Sequence, residues 1–217
     1  MIRSNDNYRN CSKILATDNM SKQRVIVWES TSVLHAIDDF FNEPSTPIFE
    51  DSVGFDEAMN LTQSVQMAGF RFSYRNSSAP REEQEATKET FERALANLDA
   101  FLSEHNGPFM NGDQLSAIDM MVVPSLERFR FQLPYTRSFD VLDEDKYPSL
   151  KKWFSAMDSL PSYKNRVRGD EMSWVTTTSV FARLFSPKKE DGSLPQEVQD
   201  TIQKVDGALD SLVAKSR

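Results

Sequence analysis

Gly112-Asp113-Gln114-Leu115-Ser116-Ala117-Ile118-Asp119, followed by Met120-Met121-Val122-Val123-Pro124, reads as the start of a buried helix. Ser116 is a good N-cap, because its hydroxyl can accept from the backbone N–H three residues on. Asp119 stands at that third position and can reach back to the N–H of the cap, a carboxylate version of the capping box. It also places a negative charge at the positive end of the helix dipole. Leu115 and Met120 take the two staple positions around the cap. Ile118 and the run Met120 to Val123 make the start of the helix apolar on all sides, a pattern that belongs inside a bundle. Ser116 and Asp119 are therefore expected to be a structural N-cap pair rather than a catalytic serine and aspartate.

Working outward, helices dominate. The capped helix is expected to run from Ala117 to about Phe131, kinked at Pro124 and ended by Leu133-Pro134. Tyr147-Pro148-Ser149-Leu150 starts another, with Leu150, Trp153, Phe154 and Met157 inward, and Ser162 to Val167 is a short turn. Ser173 to Phe185 is helical in spite of Thr176-Thr177-Thr178. Beyond a polar linker, Val198, Ile202, Val205, Leu209 and Leu212 form a seam with alternating spacings of four and three, expected to pack back on the bundle. Upstream, Ala58, Leu61, Val65, Ala68 and Phe72 line one face of a helix over 56–72. Phe91, Leu95, Leu98, Phe101 and Leu102 do so in a long helix over 81–104, stopped by Asn106-Gly107-Pro108. Nearer the start, Ser12 to Thr17 and Arg24 to Trp28 read as a hairpin around Asp18-Asn19-Met20-Ser21-Lys22. A helix with Val33, Leu34, Ile37, Phe40 and Phe41 at helical spacing follows. The expected organisation is a polar, disordered segment 1–11, a hairpin plus helix over 12–50, a helical domain over 55–185, and a linker with an amphipathic helix over 186–217. The fold class is mainly α.

Composition narrows the function. Only 7 glycines in 217 residues argue against a turn-rich all-β fold. A net charge of −8 without a basic stripe excludes nucleic acid as the main partner. One cysteine and two histidines (Cys11, His35 and His105) do not make a zinc site, so no metal is expected. Cys11 has no helix start beside it to stabilise a thiolate and is read as incidental. No apolar run spans a bilayer, and residues 1–10 lack the apolar core of a signal peptide, so the expectation is a cytoplasmic protein without a membrane partner.

The order helix, helix, capped buried helix, Tyr-Pro-x-Leu-x-x-Trp helix resembles the C-terminal domain of glutathione transferases. Phe109 to Asp119 with Pro124, Tyr147 to Trp153, and Leu160-Pro161-Ser162-Tyr163 carry the likeness. Val25-Ile26-Val27-Trp28-Glu29-Ser30, with Val33-Leu34 and Ile37-Asp38-Asp39-Phe40, resembles the last hairpin and helix of the family's thioredoxin-like domain. The likeness covers residues 12–185. It implies a transferase-type helical bundle preceded by a truncated, partial thioredoxin-like part.

What the resemblance implies for function follows residue by residue. In the family, the Glu-Ser pair matching Glu29-Ser30 binds the γ-glutamyl end of glutathione, and the chemistry is sound. A helix N-terminus and a hydroxyl suit a carboxylate, while the Glu29 carboxylate suits an ammonium. Ser30 as a plain helix cap is the alternative. The helix carrying Phe70, Arg71 and Tyr74 lines the family's pocket for a hydrophobic co-substrate, and Arg128 on the capped helix faces either an anionic ligand or solvent. The family's activity is conjugation of the glutathione thiolate to electrophiles, with glutathione as co-substrate and no other cofactor. Its activating Tyr, Ser or Cys has no counterpart here, and Ser12 or Lys13 falls where its cis-proline stands, a bond that costs about 3 kcal/mol at a non-proline residue. No catalytic residue is therefore assigned and activity is expected to be weak or absent. A non-catalytic binding or scaffold protein, or a truncated form of a full-length transferase, are the alternatives. Family members commonly dimerise through both domains, which makes a homodimer plausible, though the partial first domain weakens that expectation.

Overall fold

Asp119 has no exposed surface in the computed structural model of the chain, yet its two oxygens accept four hydrogen bonds. Oδ2 takes the Ser116 N–H at 2.8 Å and the Ser116 hydroxyl at 2.7 Å, so the expected capping box is formed. Oδ1 takes the Met110 N–H at 3.0 Å and the Trp153 indole N–H at 2.7 Å. One carboxylate thus joins the loop before the helix, the helix cap and a second helix. The loop is tight: Phe109 and Gly112 exchange backbone hydrogen bonds of 2.9 and 3.1 Å, and Gly112 sits at φ 72°, where a side chain would be strained.

The structure describes residues 13–17, 24–28, 30–41, 55–74, 80–105, 107–164, 171–186 and 188–215. Strands β1 (Lys13–Thr17) and β2 (Arg24–Trp28) pair antiparallel, with Lys13 opposite Trp28 and Thr17 opposite Arg24. Helix α1 (Ser30–Phe41) packs against β2 and α4, and buries Val33 and Ala36. The bundle is α2 (Phe55–Tyr74), α3 (Arg81–Glu104), α4 (Ala117–Thr136) and α5 (Pro148–Ser159). The short α6 (Pro161–Lys164), α7 (Glu171–Phe185) and α8 (Gln196–Lys215) complete it. The segment 1–11, assigned to a disordered tail by its composition, lies outside the described residues.

The core is built from the faces that helical spacing selected. Ala58, Val65, Ala68 and Phe72 of α2 meet Phe91, Leu95, Leu98 and Leu102 of α3, while Leu150, Trp153, Phe154 and Met157 close the far side. Phe72, Phe91, Phe129 and Phe139 form a cluster with ring centroids 5.3–5.7 Å apart. Gly69 lets this cluster close, because a Cβ there would lie 2.3 Å from the Phe129 ring. Asp99 of α3 accepts the Leu150 N–H at 2.7 Å and so caps α5 from a different helix.

Two sequence expectations are refined. Leu133-Pro134 does not end α4, which continues to Thr136. The Arg137 N–H donates to the Leu133 carbonyl at 2.8 Å and the Thr136 hydroxyl to the Gln132 carbonyl at 2.9 Å, so a proline in the last turn is tolerated. The seam of α8 does pack back: α8 lies on α7 and α4 with Val205 fully buried. The Ser179 hydroxyl donates to Asp206 at 2.8 Å, and Arg183 pairs with the same carboxylate.

Replacing Asp119→Ala strands four buried donors and is expected to lower the free energy of unfolding by about 3–5 kcal/mol. Urea unfolding would show it as a lower midpoint at unchanged slope. Gly69→Ala is expected to destabilise by about 1–3 kcal/mol through overpacking on Phe129, although alanine in an open helix would gain about 1 kcal/mol. A rise in melting temperature for that variant would contradict the packing.

Candidate functional site

Arg128 lies three turns along α4 from the capped end, half-buried between two aromatic side chains. Its guanidinium carbon is 5.7 Å from the Phe70 ring centroid on α2 and 5.4 Å from the Trp174 ring centroid on α7. Its Nε donates to the Gln132 side-chain oxygen at 2.8 Å, one turn further along α4. Burial pushes this guanidinium below its ordinary pKa, but an arginine remains protonated across the range where proteins fold. Of the two surroundings open to it, sequence reading favoured solvent; the guanidinium lies instead against the Phe70 and Trp174 rings. Phe70 is 36% exposed, so one face of the stack is reachable from outside.

The neighbouring carboxylate holds the stack in place. Glu127 is 3% exposed and accepts the Tyr163 hydroxyl at 2.7 Å and the Trp174 indole N–H at 3.4 Å. Adjacent residues on α4 therefore serve opposite purposes. Glu127 ties α6 and α7 to α4, and that tie sets the plane of the Trp174 ring against which Arg128 lies. Arg130, the other arginine within α4, pairs with Asp158 at 2.8 Å and packs over the Phe131 and Phe154 rings.

Of the four residues expected to line a co-substrate pocket, the structure brings Phe70 and Arg128 together. Arg71 is exposed on α2, and the side chain of Tyr74 lies outside the described residues. Ser30 is the first residue of α1, while Glu29 and the Ser30 side chain lie outside the described residues. Sequence reading missed Glu127 and Trp174. The signal was there in one respect: a carboxylate followed by arginine within a mostly apolar helix must find partners or solvent. Among the described residues no group of three or more His, Cys, Asp or Glu is placed to hold a metal ion. No helix among them is long and apolar enough to cross a membrane. The arrangement is suited to binding and orienting a ligand: a cation flanked by two rings, with a buried acid fixing one of them.

Residues 65–165 match the family model of the glutathione S-transferase C-terminal domain. The chain is 25% identical over 142 residues to the chloroplastic protein named probable glutathione S-transferase DHAR2 of rice (Oryza sativa subsp. japonica). That match takes in 63% of this chain and 45% of the rice protein, so the chain spans under half of that relative's length. It is 29% identical over 170 residues to glutathione S-transferase U18 of Arabidopsis thaliana, covering 76% of this chain and 71% of that protein. A trimeric glutathione transferase from Leishmania, TDR1, has a similar fold with a TM-score of 0.60 at 18% identity, over 73% of this chain and 35% of that one. The mainly helical architecture is that of the transferase C-terminal domain, and the capped α4 with its tie to Trp153 falls inside the matched stretch. Residues 65–165 thus form a domain similar to the C-terminal domain of glutathione S-transferases.

Proposed function

We propose that the chain binds glutathione at the start of α1 and holds an electrophilic co-substrate against Phe70 and Arg128, with conjugation of the two as the family reaction. The observation that carries this reading is the packing of α1 against α4 as well as β2. That contact ties the helix beginning at Ser30 to the helix that bears Arg128. The first turn of α1 has backbone N–H groups without intrahelical partners, which suit the glutathione α-carboxylate, and the Glu29 carboxylate suits its ammonium. In the reaction the thiol loses its proton to solvent. The thiolate then forms a carbon–sulfur bond as the leaving group departs from the electrophile. No residue of this chain is assigned as donor to the sulfur, so the expected conjugation is slow and binding is the stronger property. A sandwich of cation and rings favours an electrophile that is aromatic and carries a negative charge.

Purified protein is expected to be retained on immobilised glutathione, and Glu29→Gln or Ser30→Ala to weaken that affinity about tenfold. Failure of retention together with conjugation no faster than in buffer would reject the reading. Retention without turnover would mark a protein that binds glutathione and performs no transfer. Among aryl halides, Arg128→Met is expected to weaken binding of a ring bearing a carboxylate several-fold more than binding of its neutral analogue, as measured by competition.

A further inference from the structure

A cleft of about 370 Å³ opens between the end of α2, the start of α3 and the end of α4. That volume is at the lower end of small-ligand sites, which run from about 300 Å³ upward. It is roughly 13 Å further along α4 than Arg128, at 1.5 Å per residue, and shares no residue with the Phe70–Arg128–Trp174 stack.

Two cations converge on it. Arg137 follows the last residue of α4, lies over the Phe72 ring at 5.8 Å and donates from Nη2 to the Ser73 carbonyl at 3.4 Å. Burial pushes its guanidinium below the ordinary value, with the Glu197 carboxylate acting in the opposite direction. Lys88 reaches the cleft from α3 and is half-buried. Among the described residues no hydrogen bond or ion pair engages its ammonium, and Glu92, one turn on, is paired with Lys146 at 3.2 Å. Glu85 also lines the cleft and is exposed, as is Ser138, so water and salt screen the Glu85 charge. The hydroxyls of Thr87 and Thr136 spend their protons on the Gln84 and Gln132 carbonyls at 2.8 and 2.9 Å. Ser138 is different: it holds φ 49°, a left-handed conformation uncommon for serine, and no described group engages its hydroxyl. In a chain of net charge −8, two cations against one carboxylate, with a hydroxyl that no described group engages, give the lining of this cleft a positive balance.

We propose that this cleft binds a small oxyanion, a carboxylate or a phosphate monoester, with Lys88 and Arg137 as its charge partners and Ser138 as a hydrogen-bond donor. The site makes no use of Glu29, Ser30 or Arg128 and stands or falls apart from the glutathione reading. The full chain would be titrated at constant ionic strength with inorganic phosphate and, separately, with benzoate, and followed by backbone amide resonances. Saturable shifts are expected on the amides of residues 84–88 and 136–138. Lys88→Met should weaken the affinity about tenfold or more, and Arg130→Lys, outside the cleft, should leave it unchanged. Ser138→Gly relieves the left-handed backbone while removing the hydroxyl, so it should weaken binding without loss of thermal stability. A response to phosphate alone assigns the phosphate ester and one to benzoate alone the carboxylate, and either supports the site. The proposal is overturned by an absence of saturable shifts with both probes, or by a Lys88→Met affinity equal to that of the parent.

Discussion

A carboxylate with no exposed surface sits at the centre of this bundle, and the rest of the chain is arranged to satisfy it. Burying an ionised group is costly unless its lone pairs are occupied, and Asp119 has four donors drawn from a loop, a helix cap and a second helix. The consequence is positional. Helix α4 touches α1, α2, α7 and α8, so fixing its first turn fixes the helix against which most of the molecule is measured. Glu127 and Arg128 lie about 12 Å along the same axis, at 1.5 Å per residue, and inherit that placement.

The same device recurs. Asp99 on α3 caps α5, and Glu127 on α4 holds Tyr163 and Trp174. Each is a buried acid on one helix whose donors come from another element. Apolar contact alone tolerates sliding and rotation of packed helices, whereas a buried acid with directed hydrogen bonds does not. The aromatic sandwich around Arg128 is the outer face of one such lock, and the ring that Glu127 orients is the ring on which the guanidinium rests. Structure and candidate site are in this sense one construction.

Much of the fold was legible from local pattern. The faces of α2, α3 and α5 followed helical spacing, and the residues chosen for them are buried. The site was legible in part. Phe70 and Arg128 were identified through the family resemblance and do meet. Trp174 and Glu127 were not, and Arg128 was read as facing solvent, whereas two rings flank it. The reason lies in α4 itself, which is apolar nearly all round at its start, so periodicity offers no preferred face from which to project residues two or three turns later. Arg137, Lys88 and Ser138 were invisible for a related reason: two segments about 50 residues apart supply them, and nothing in either signals the other.

By itself the sequence determined what is settled within a turn or two of chain: the Ser116–Asp119 cap, the glycine in the loop before it, the helix boundaries at Arg81 and Pro148, and the inward faces. Such features depend on neighbours a few residues apart, and residue type decides them directly. Tertiary structure alone decided which donors complete the buried acids, since Trp153 reaches Asp119 across 34 residues and Leu150 reaches Asp99 across 51. It also decided that α4 continues through Pro134 and that Gly69 is a packing requirement beneath Phe129 and not a weak point in a helix. For the buried acids and Gly69 the deciding atom belongs to another helix, and only the packed arrangement brings it within a few ångströms; the Pro134 turn is held instead by bonds of α4 to its own end.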